Sequence, residues 1–423
     1  MVITMHPQFP ASYRTILYLT LALLLLPSCN VLGSEETPRV LMRELSAQEQ
    51  VLAGASNEFA FDLLSKLGQT EPEKSFFVSP LSITMAFGMA LNGTANETYE
   101  QMRNFFGHQD LTNDEINEAF RSLIDLLTQL DPKVHMEIAN SVWYRKGFEV
   151  IRDFLETNAE YFHAEVADLD FSDPSAPDII NGWINDKTNG LIDEMIEAIG
   201  PDVVMYLINA IYFKADWTVS FDRELTRDEY FTTAKDDRVE VPMMRVKDEF
   251  GYYSANGMQV VDLPYGDGHF SFTAILPALR PVPGQMPRVF SSREFENMVA
   301  GLEKQEVTVI MPRFEIDYDY EDIMKDLIDM GLTLPFDGSK ADFSRINPEE
   351  ELFISDVMHR AIIKVDEEGT EAAAATVIEI SRTSVGPPEL IIRLDRPFLF
   401  FIRENSSNTI LFMGRYTGPM PSR

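Results

Sequence analysis

An α+β fold is what this sequence predicts, and three observations carry it. Amphipathic helical stripes gather in the first half of the 423 residues, β-rich runs gather in the second, and the two do not alternate regularly. The chain is also 45% hydrophobic and 11% aromatic, enough for a large packed core in spite of its acidity. With 35 Lys plus Arg against 68 Asp plus Glu the formal charge is −33, and no stretch clusters basic residues over more than two or three positions. A surface of that kind has no basic face to meet phosphates, which argues against nucleic acid as a partner. The deficit of positive charge falls mostly on lysine, with 12 Lys against 23 Arg, a balance that suits a salty habitat.

Taken in order, the chain opens with Arg14 and an apolar run over 16–26 that ends in Leu26, Pro27, Ser28 and Cys29. The run is about 11 residues, too short to cross a bilayer, which needs about 20, and acidic sequence over 34–39 follows at once. Residues 1–28 therefore read as a signal peptide. A leucine, a small residue and a cysteine after such a run resemble a bacterial lipobox, in which Cys29 becomes the lipidated first residue. Cys29 is the single cysteine, and processing there leaves 423 − 28 = 395 residues with no free thiol. The expectation is a membrane-anchored lipoprotein of the cell envelope, on the periplasmic side or the cell surface. Plain secretion is the alternative, and the absence of disulfides does not contradict it, because a core of this size needs none. Residues 29–50 read as a tether and 51–423 as a single domain.

Within that domain, Phe59, Leu63 and Leu67 form one helical stripe, with Ala60 and Leu64 beside them. Ile116, Phe120, Leu123, Leu127 and Leu130 form another. Strand-like runs cover 138–144, 205–213, 270–276, 307–311 and 390–402, the last followed by 409–413. No period of 20 to 50 residues recurs, and the proline-rich stretch over 279–287 is the conspicuous interior loop.

Catalytic constellations are missing from the sequence. It contains no G-x-S-x-G elbow, no H-E-x-x-H, no phosphate-binding glycine loop, and its six histidines are scattered. Asp168, Asp170 and Ser172 begin like a calcium loop, but Asp173 stands where glycine is required and no glutamate closes the loop, so they read as a solvated acidic turn. Asp317, Asp319 and Glu321 alternate with Tyr318 and Tyr320, which places the acids on one wet face of a strand.

The segment after Val365 does not fit its neighbours. Taken locally, Thr370 to Ala375 looks like a capped helix start, yet β-branched residues follow over 377–380, and Gly386, Pro387 and Pro388 forbid a regular continuation. About 20 residues between two strands mark a functional or disordered loop. Small alanines among polar residues are what a strand needs if it must slide late into a formed sheet.

Here the residues resemble the serpins, over almost the whole mature chain. Glu367, Glu368, Gly369, Thr370, Glu371, Ala372, Ala373, Ala374 and Ala375 look like the hinge of inhibitory serpins at every position. The stretch Asp395, Arg396, Pro397, Phe398, Leu399 and Phe400 resembles the family signature, as do 209–214 with Trp217, and 77–83. Ser75 stands where the family usually has asparagine. The resemblance implies a serpin fold, with helices, three β-sheets and an exposed reactive-centre loop, no cofactor and no catalysis of its own. It implies a monomeric suicide-substrate inhibitor of serine proteases, and of papain-like cysteine proteases as well, that traps the acyl-enzyme by inserting the cleaved loop into the central sheet. Ser79, Ser82, Asn209 and His359 match the family's shutter, a polar cluster under that sheet, and Trp217 and Glu367 match the breach where insertion begins. Thr370 is expected to be the first loop side chain buried as insertion starts.

In the family's usual register the scissile bond follows Thr383, with Ser384 after it and Arg382 one place before. Arg382 suits trypsin-like proteases, and Thr383 suits the smaller pockets of elastase- or subtilisin-like ones. A solvated loop charge is the bland reading of Arg382. The 14 residues over 370–383 would span roughly 46 Å as a strand, at about 3.3 Å each, close to the diameter of a domain of this size. The alternative is a non-inhibitory serpin acting as a binding module, which normally shows bulky or charged hinge residues instead of Thr370 and the alanines.

Overall fold

A computed structural model describes residues 44–277, 291–370 and 389–419. Cys29, the proline-rich loop, the hinge alanines Ala372, Ala373, Ala374 and Ala375, and the reactive-bond residues Arg382, Thr383 and Ser384 lie outside them. The helices are α1 (Ala47–Thr70), α2 (Pro80–Leu91), α3 (Asn96–Phe105), α4 (Asn113–Gln129), α5 (Arg152–Tyr161), α6 (Ala176–Lys187), α7 (Ser292–Ala300) and α8 (Ile323–Asp329). The strands are β1 (Phe76–Val78), β2 (Val134–Arg145), β3 (Glu165–Leu169), β4 (Met205–Asp216), β5 (Arg227–Thr232), β6 (Arg238–Ala255), β7 (Met258–Tyr265), β8 (Phe270–Pro277), β9 (Glu303–Pro312), β10 (Phe314–Asp319), β11 (Arg360–Val365), β12 (Gly369–Thr370), β13 (Leu390–Arg393), β14 (Phe398–Glu404) and β15 (Ile410–Tyr416).

Local chemistry accounts for the helix starts. Ser46 with Glu49, Thr112 with Glu115 and Ser291 with Glu294 form reciprocal capping boxes at α1, α4 and α7. The first of these sets the start of α1 at Ala47, inside the stretch read as tether. Ser79 caps α2, whose first residue is Pro80. The two helical stripes of the sequence are the buried faces of α1 and α4.

Six strands form one sheet, in the order β10, β11, β12, β4, β2, β3. β2 and β4 pair antiparallel from Val134 opposite Ala215 to Tyr144 opposite Met205. β12 is only two residues long; Gly369 and Thr370 pair with Asp216 and Ala215 of β4, and Thr370 pairs with Val365 of β11. Among the described residues no strand pairs with the other edge of β4 from 205 to 214. A slot therefore runs between β4 and β11, stoppered at one end by β12.

The other nine strands form one hydrogen-bonded ladder. It contains both remaining sheets of the expected three, because the 18-residue β6 pairs in turn with β5, β9 and β7 and so joins a buried half (β7, β8, β14, β15, β1) to an outer half (β5, β9, β13). The turn from β6 to β7 is Asn256 and Gly257, both at positive φ, which suits a tight hairpin. The run 390–402 is two strands and not one. β13 lies parallel to β9, whereas β14 lies between β8 and β15, and Asp395, Arg396 and Pro397 turn the chain between them. The separation of helices from strands is also looser than the sequence suggests, since β2, β3 and β4 lie among the helices of the first half.

The two sheets meet face to face. Phe213 of β4 packs edge-on against Phe270 of β8 and Phe412 of β15, and β8, β14 and β15 are buried on both faces. A second hydrophobic cluster covers the outer face of the six-stranded sheet. Ile180 and Ile184 of α6 and Ile192 and Ile196 of the segment after it sit there on Ile208 of β4.

Candidate functional site

The end of the slot that holds β12 is tightly built. Asp366 closes the turn before it, its carboxylate accepting the N–H groups of Glu368 and Gly369 at 2.8 and 3.2 Å. The Glu367 and Glu368 carbonyls accept from the N–H groups of Phe221 and Trp217, both at 2.8 Å, and the Trp217 indole donates to the Asp366 carbonyl at 2.9 Å. A Cβ on residue 369 would fall onto the Ala215 carbonyl oxygen, so only glycine lets the chain lie against β4 there.

The side chains are fixed as firmly. Trp217 stacks flat on Tyr265, ring centroids 4.5 Å apart, and the hydroxyls of Tyr265 and Thr370 share a hydrogen bond of 2.5 Å. Burial pushes the Tyr265 phenol well above its ordinary pKa, so it stays neutral and able to donate. Glu367 is 2% exposed; Thr226 donates to it at 2.7 Å and Arg313 lies at 3.7 Å. Glu368 pairs with Arg223 at 2.7 Å. Thr370, expected to be the first loop side chain buried as insertion starts, is already 3% exposed, because β12 lies between β11 and β4. The local resemblance of Thr370 to a helix cap is overridden by that pairing.

Further along the slot the polar cluster assembles around the start of α2. The Ser79 hydroxyl accepts from the Ser82 N–H at 3.1 Å and donates to the Leu411 carbonyl of β15 at 2.7 Å. The Ser79 N–H donates to Nε2 of His359 at 3.1 Å. That nitrogen must be unprotonated to accept, and burial agrees, lowering the His359 pKa to about 4. On the other wall the Asn209 amide donates to Asn140 at 2.8 Å, and Asn140 in turn donates to the Phe162 carbonyl at 2.7 Å. Oδ1 of Asn209 is buried without a hydrogen-bond partner, and Ser82 makes only a long 3.5 Å contact to the Asn209 carbonyl. Ser79, Ser82, Asn209 and His359 all line one cavity of about 40 Å³ between β4 and β11, room for little more than a water or two.

The structure thus brings Ser79, Ser82, Asn209 and His359 to one place, and Trp217, Glu367, Gly369 and Thr370 to another. Ser75 meets its needs by a different route from an asparagine. It accepts from the Thr417 N–H at 3.0 Å and touches the Thr417 hydroxyl at 3.1 Å, tying the start of β1 to the end of β15. Asp170 and Asp173 accept from Ser172 and Ser175 in local turns, as a solvated acidic turn requires. Asp317 is not merely solvated, because it is forked by Arg360 from β11. Tyr265, Thr226, Arg313 and Arg223 carry no local sequence signal, since each meets residues 367–370 across at least 54 residues of chain, the least being Arg313 to Glu367, 367 − 313.

Comparison with known proteins agrees with this geometry. A family profile described as Serpin (serine protease inhibitor) matches residues 54–419. The chain is 34% identical to human leukocyte elastase inhibitor over 384 residues, covering 87% of this chain and 99% of that protein. It is 32% identical to human neuroserpin over 376 residues, covering 86% of this chain and 90% of that one. Among solved structures, the thermophilic serpin tengpin in its native state superposes with a TM-score of 0.79 at 29% identity, covering 90% of this chain and 96% of the other. Human thyroxine-binding globulin complexed with thyroxine superposes equally well, TM-score 0.79 at 29% identity, covering 89% of this chain and all of the other.

Proposed function

The chain belongs to the serpin family, and from that premise we propose that it is a suicide-substrate inhibitor of serine proteases, and of papain-like cysteine proteases as well. The observation that carries this reading is the slot between β4 and β11, open along the edge of β4 and already holding the loop's first two residues at its end. A protease that attacks after Thr383, or after Arg382, forms an acyl-enzyme on the new C-terminus. The freed segment from Glu371 onward then continues β12 down the slot and carries the protease with it. Gly369 and Thr370 give that strand its register, and the four alanines that follow offer little bulk to obstruct it. Thr370 and the alanines over 372–375 disfavour a pure binding module, which normally shows bulky or charged residues there.

Trypsin and an elastase, each mixed with the protein and run on denaturing gels, test the proposal. A covalent adduct is the expected result, and cleavage with no adduct would sink it. Thr370→Arg supplies the control. A charge forced under the sheet beside Tyr265 costs several kcal/mol, so the hinge leaves its seat, insertion slows, and deacylation releases active protease. That variant should be consumed as a substrate.

We also propose that Cys29 is lipidated and holds the protein to the cell envelope, facing the periplasm or the outside. Fatty-acid labelling of the native chain but not of Cys29→Ser is the expected result; equal labelling of both would exclude it.

A further inference from the structure

Asparagine followed by glycine is the least durable pair in a polypeptide, and the sequence holds four such pairs, Asn92-Gly93, Asn181-Gly182, Asn189-Gly190 and Asn256-Gly257. The glycine nitrogen can attack the side-chain carbonyl carbon of the asparagine, because glycine carries no Cβ to block the approach. The reaction needs a free main-chain N–H, a free side-chain amide, and backbone able to turn the one onto the other. Folding decides which pairs keep all three.

Three of the pairs do not. Asn92 is 7% exposed; its amide donates to Asn117 and Asn158 at 3.1 and 3.2 Å, its oxygen accepts from Asn113 and Asn117 at 2.9 and 3.0 Å, and the Gly93 N–H donates to the Ala90 carbonyl. Asn181 lies with Gly182 inside α6, where its amide donates to the Ile196 carbonyl at 2.8 Å and its oxygen accepts from the N–H groups of Met195 and Ile196. Asn189 donates to the Tyr212 hydroxyl at 3.0 Å, and the Gly190 N–H donates to the Asn185 carbonyl at 2.8 Å. Asn256 differs in each respect. It is exposed at the tip of the β6–β7 hairpin; among the described residues nothing bonds its side chain or the Gly257 N–H, and a Cβ placed on Gly257 would meet nothing within 4 Å.

We propose that Asn256 is a site of spontaneous covalent modification, where the chain ages to isoaspartate and so becomes a substrate for enzymes that methylate isoaspartyl carboxylates. The Gly257 nitrogen forms a bond to Cγ of Asn256, the bond from Cγ to Nδ2 breaks, and the side-chain nitrogen leaves as ammonia with the proton that the main-chain N–H gives up. Water then opens the five-membered imide. Attack at Cγ gives aspartate; attack at the main-chain carbonyl carbon gives isoaspartate, in which the backbone runs through the side chain and is one methylene longer. The turn itself selects this pair. Both residues sit at positive φ, 53° and 75°, which favours asparagine and glycine, so the residues that make the hairpin also make its weak link. An added methylene does not fit a two-residue turn, and the Ala255–Met258 pair that closes the hairpin is the first to yield. The proposal goes beyond the inhibitory reading and does not depend on it.

The test stores the full folded chain for weeks at mildly alkaline pH. Peptide mass spectrometry then reads the exchange of NH2 for OH at each of the four pairs, and an isoaspartyl methyltransferase with S-adenosylmethionine labels any isoaspartate. Conversion at Asn256 should exceed that at each other pair by about tenfold or more, since those must break at least two hydrogen bonds before they react. In urea the four rates should converge, and selectivity that persisted there would trace to local sequence and overturn the structural argument. Methyl label should enter the aged native chain and not aged Asn256→Ser. Equal conversion at any of the other three pairs in the folded protein, or an aged native chain that takes up no label, would overturn the proposal. The mass map requires no variant, so it decides even if Asn256→Ser fails to fold.

Discussion

The two ends of the slot are built in opposite ways. Where β12 lies, a flat Trp217–Tyr265 stack, a shared hydroxyl hydrogen bond and a glycine with no room for a methyl group fill the space. Where no described strand pairs with β4, the walls enclose a cavity, a neutral imidazole and an amide oxygen with no partner. A buried acceptor left unpaired costs about 1–3 kcal/mol, and a void forfeits the contacts of its lining. The void therefore lies at the part where no described strand pairs with β4, whereas unpartnered buried acceptors occur at both ends, Asn209 Oδ1 at one and Glu368 Oε2 at the other. On the inhibitory reading, the end that holds β12 supplies the register and the other end supplies the free energy that insertion would gain.

The largest effect that could break this comparison is that of filling the slot. The open edge of β4 runs from 205 to 214, ten residues. New ladder hydrogen bonds at about 0.5–1.5 kcal/mol each would contribute on the order of 10 kcal/mol. At about 2–4 °C per kcal/mol for a chain of a few hundred residues, cutting the loop near Thr383 should raise the thermal midpoint by about 20 °C or more. Nicking an ordinary surface loop lowers the midpoint or leaves it alone. Calorimetry of the intact and the cut protein decides, and an unchanged or lower midpoint after cleavage would show that the empty end holds no reserve.

The same contrast governs what the sequence makes legible. α1 and α4 are amphipathic, so their stripes of Phe59, Leu63, Leu67 and of Ile116, Phe120, Leu123 show their buried faces directly. α2 is wedged between α1, β4 and β15 and is buried nearly all round, so no period distinguishes it, although Ser79 and Pro80 mark its start. The run 390–402 reads as one strand because Asp395, Arg396 and Pro397 interrupt it too briefly to break a hydrophobic pattern. Gly369 and Thr370 are visible through a family pattern, but nothing local shows that Thr370 is already buried, since its partner Tyr265 lies 105 residues away. The contact of Arg360 with residues 193–194 is less legible still. Arg360 meets Asp193 across 167 residues, and Asp317, read from its strand alternation, looks simply solvated. Contacts that a chain makes by closing long loops leave no trace in its periodicity.

A smaller effect sharpens the comparison by acting on the empty end alone. His359 is neutral in the native sheet, its pKa lowered by burial to about 4 from an ordinary 6.5. The folded state therefore binds fewer protons than the unfolded state between those values. The sign follows: the stability this ring provides is fully present above about pH 6.5, declines as the pH falls toward 4, and loses no more below it. The difference corresponds to about 3 kcal/mol over the window. His108, buried among the helices and likewise lowered to about 4, contributes with the same sign, so the total pH dependence does not isolate the slot. His359→Gln does, because glutamine can still accept from the Ser79 N–H but cannot take up the proton. Against native protein, that variant should lose roughly half of the decline in denaturation midpoint between pH 6.5 and pH 4.5. Its amide exchange at Ser79 and along β11 should also stay slow in acid, where the native protein's accelerates. Amides around Gly369 and Trp217 should respond alike in both proteins, because His359 bonds to Ser79 at the cavity and not to β12. Acid acceleration at Gly369 and Trp217 equal to that at Ser79 would mean that the sheet opens as one unit, and that the two ends are not independently held.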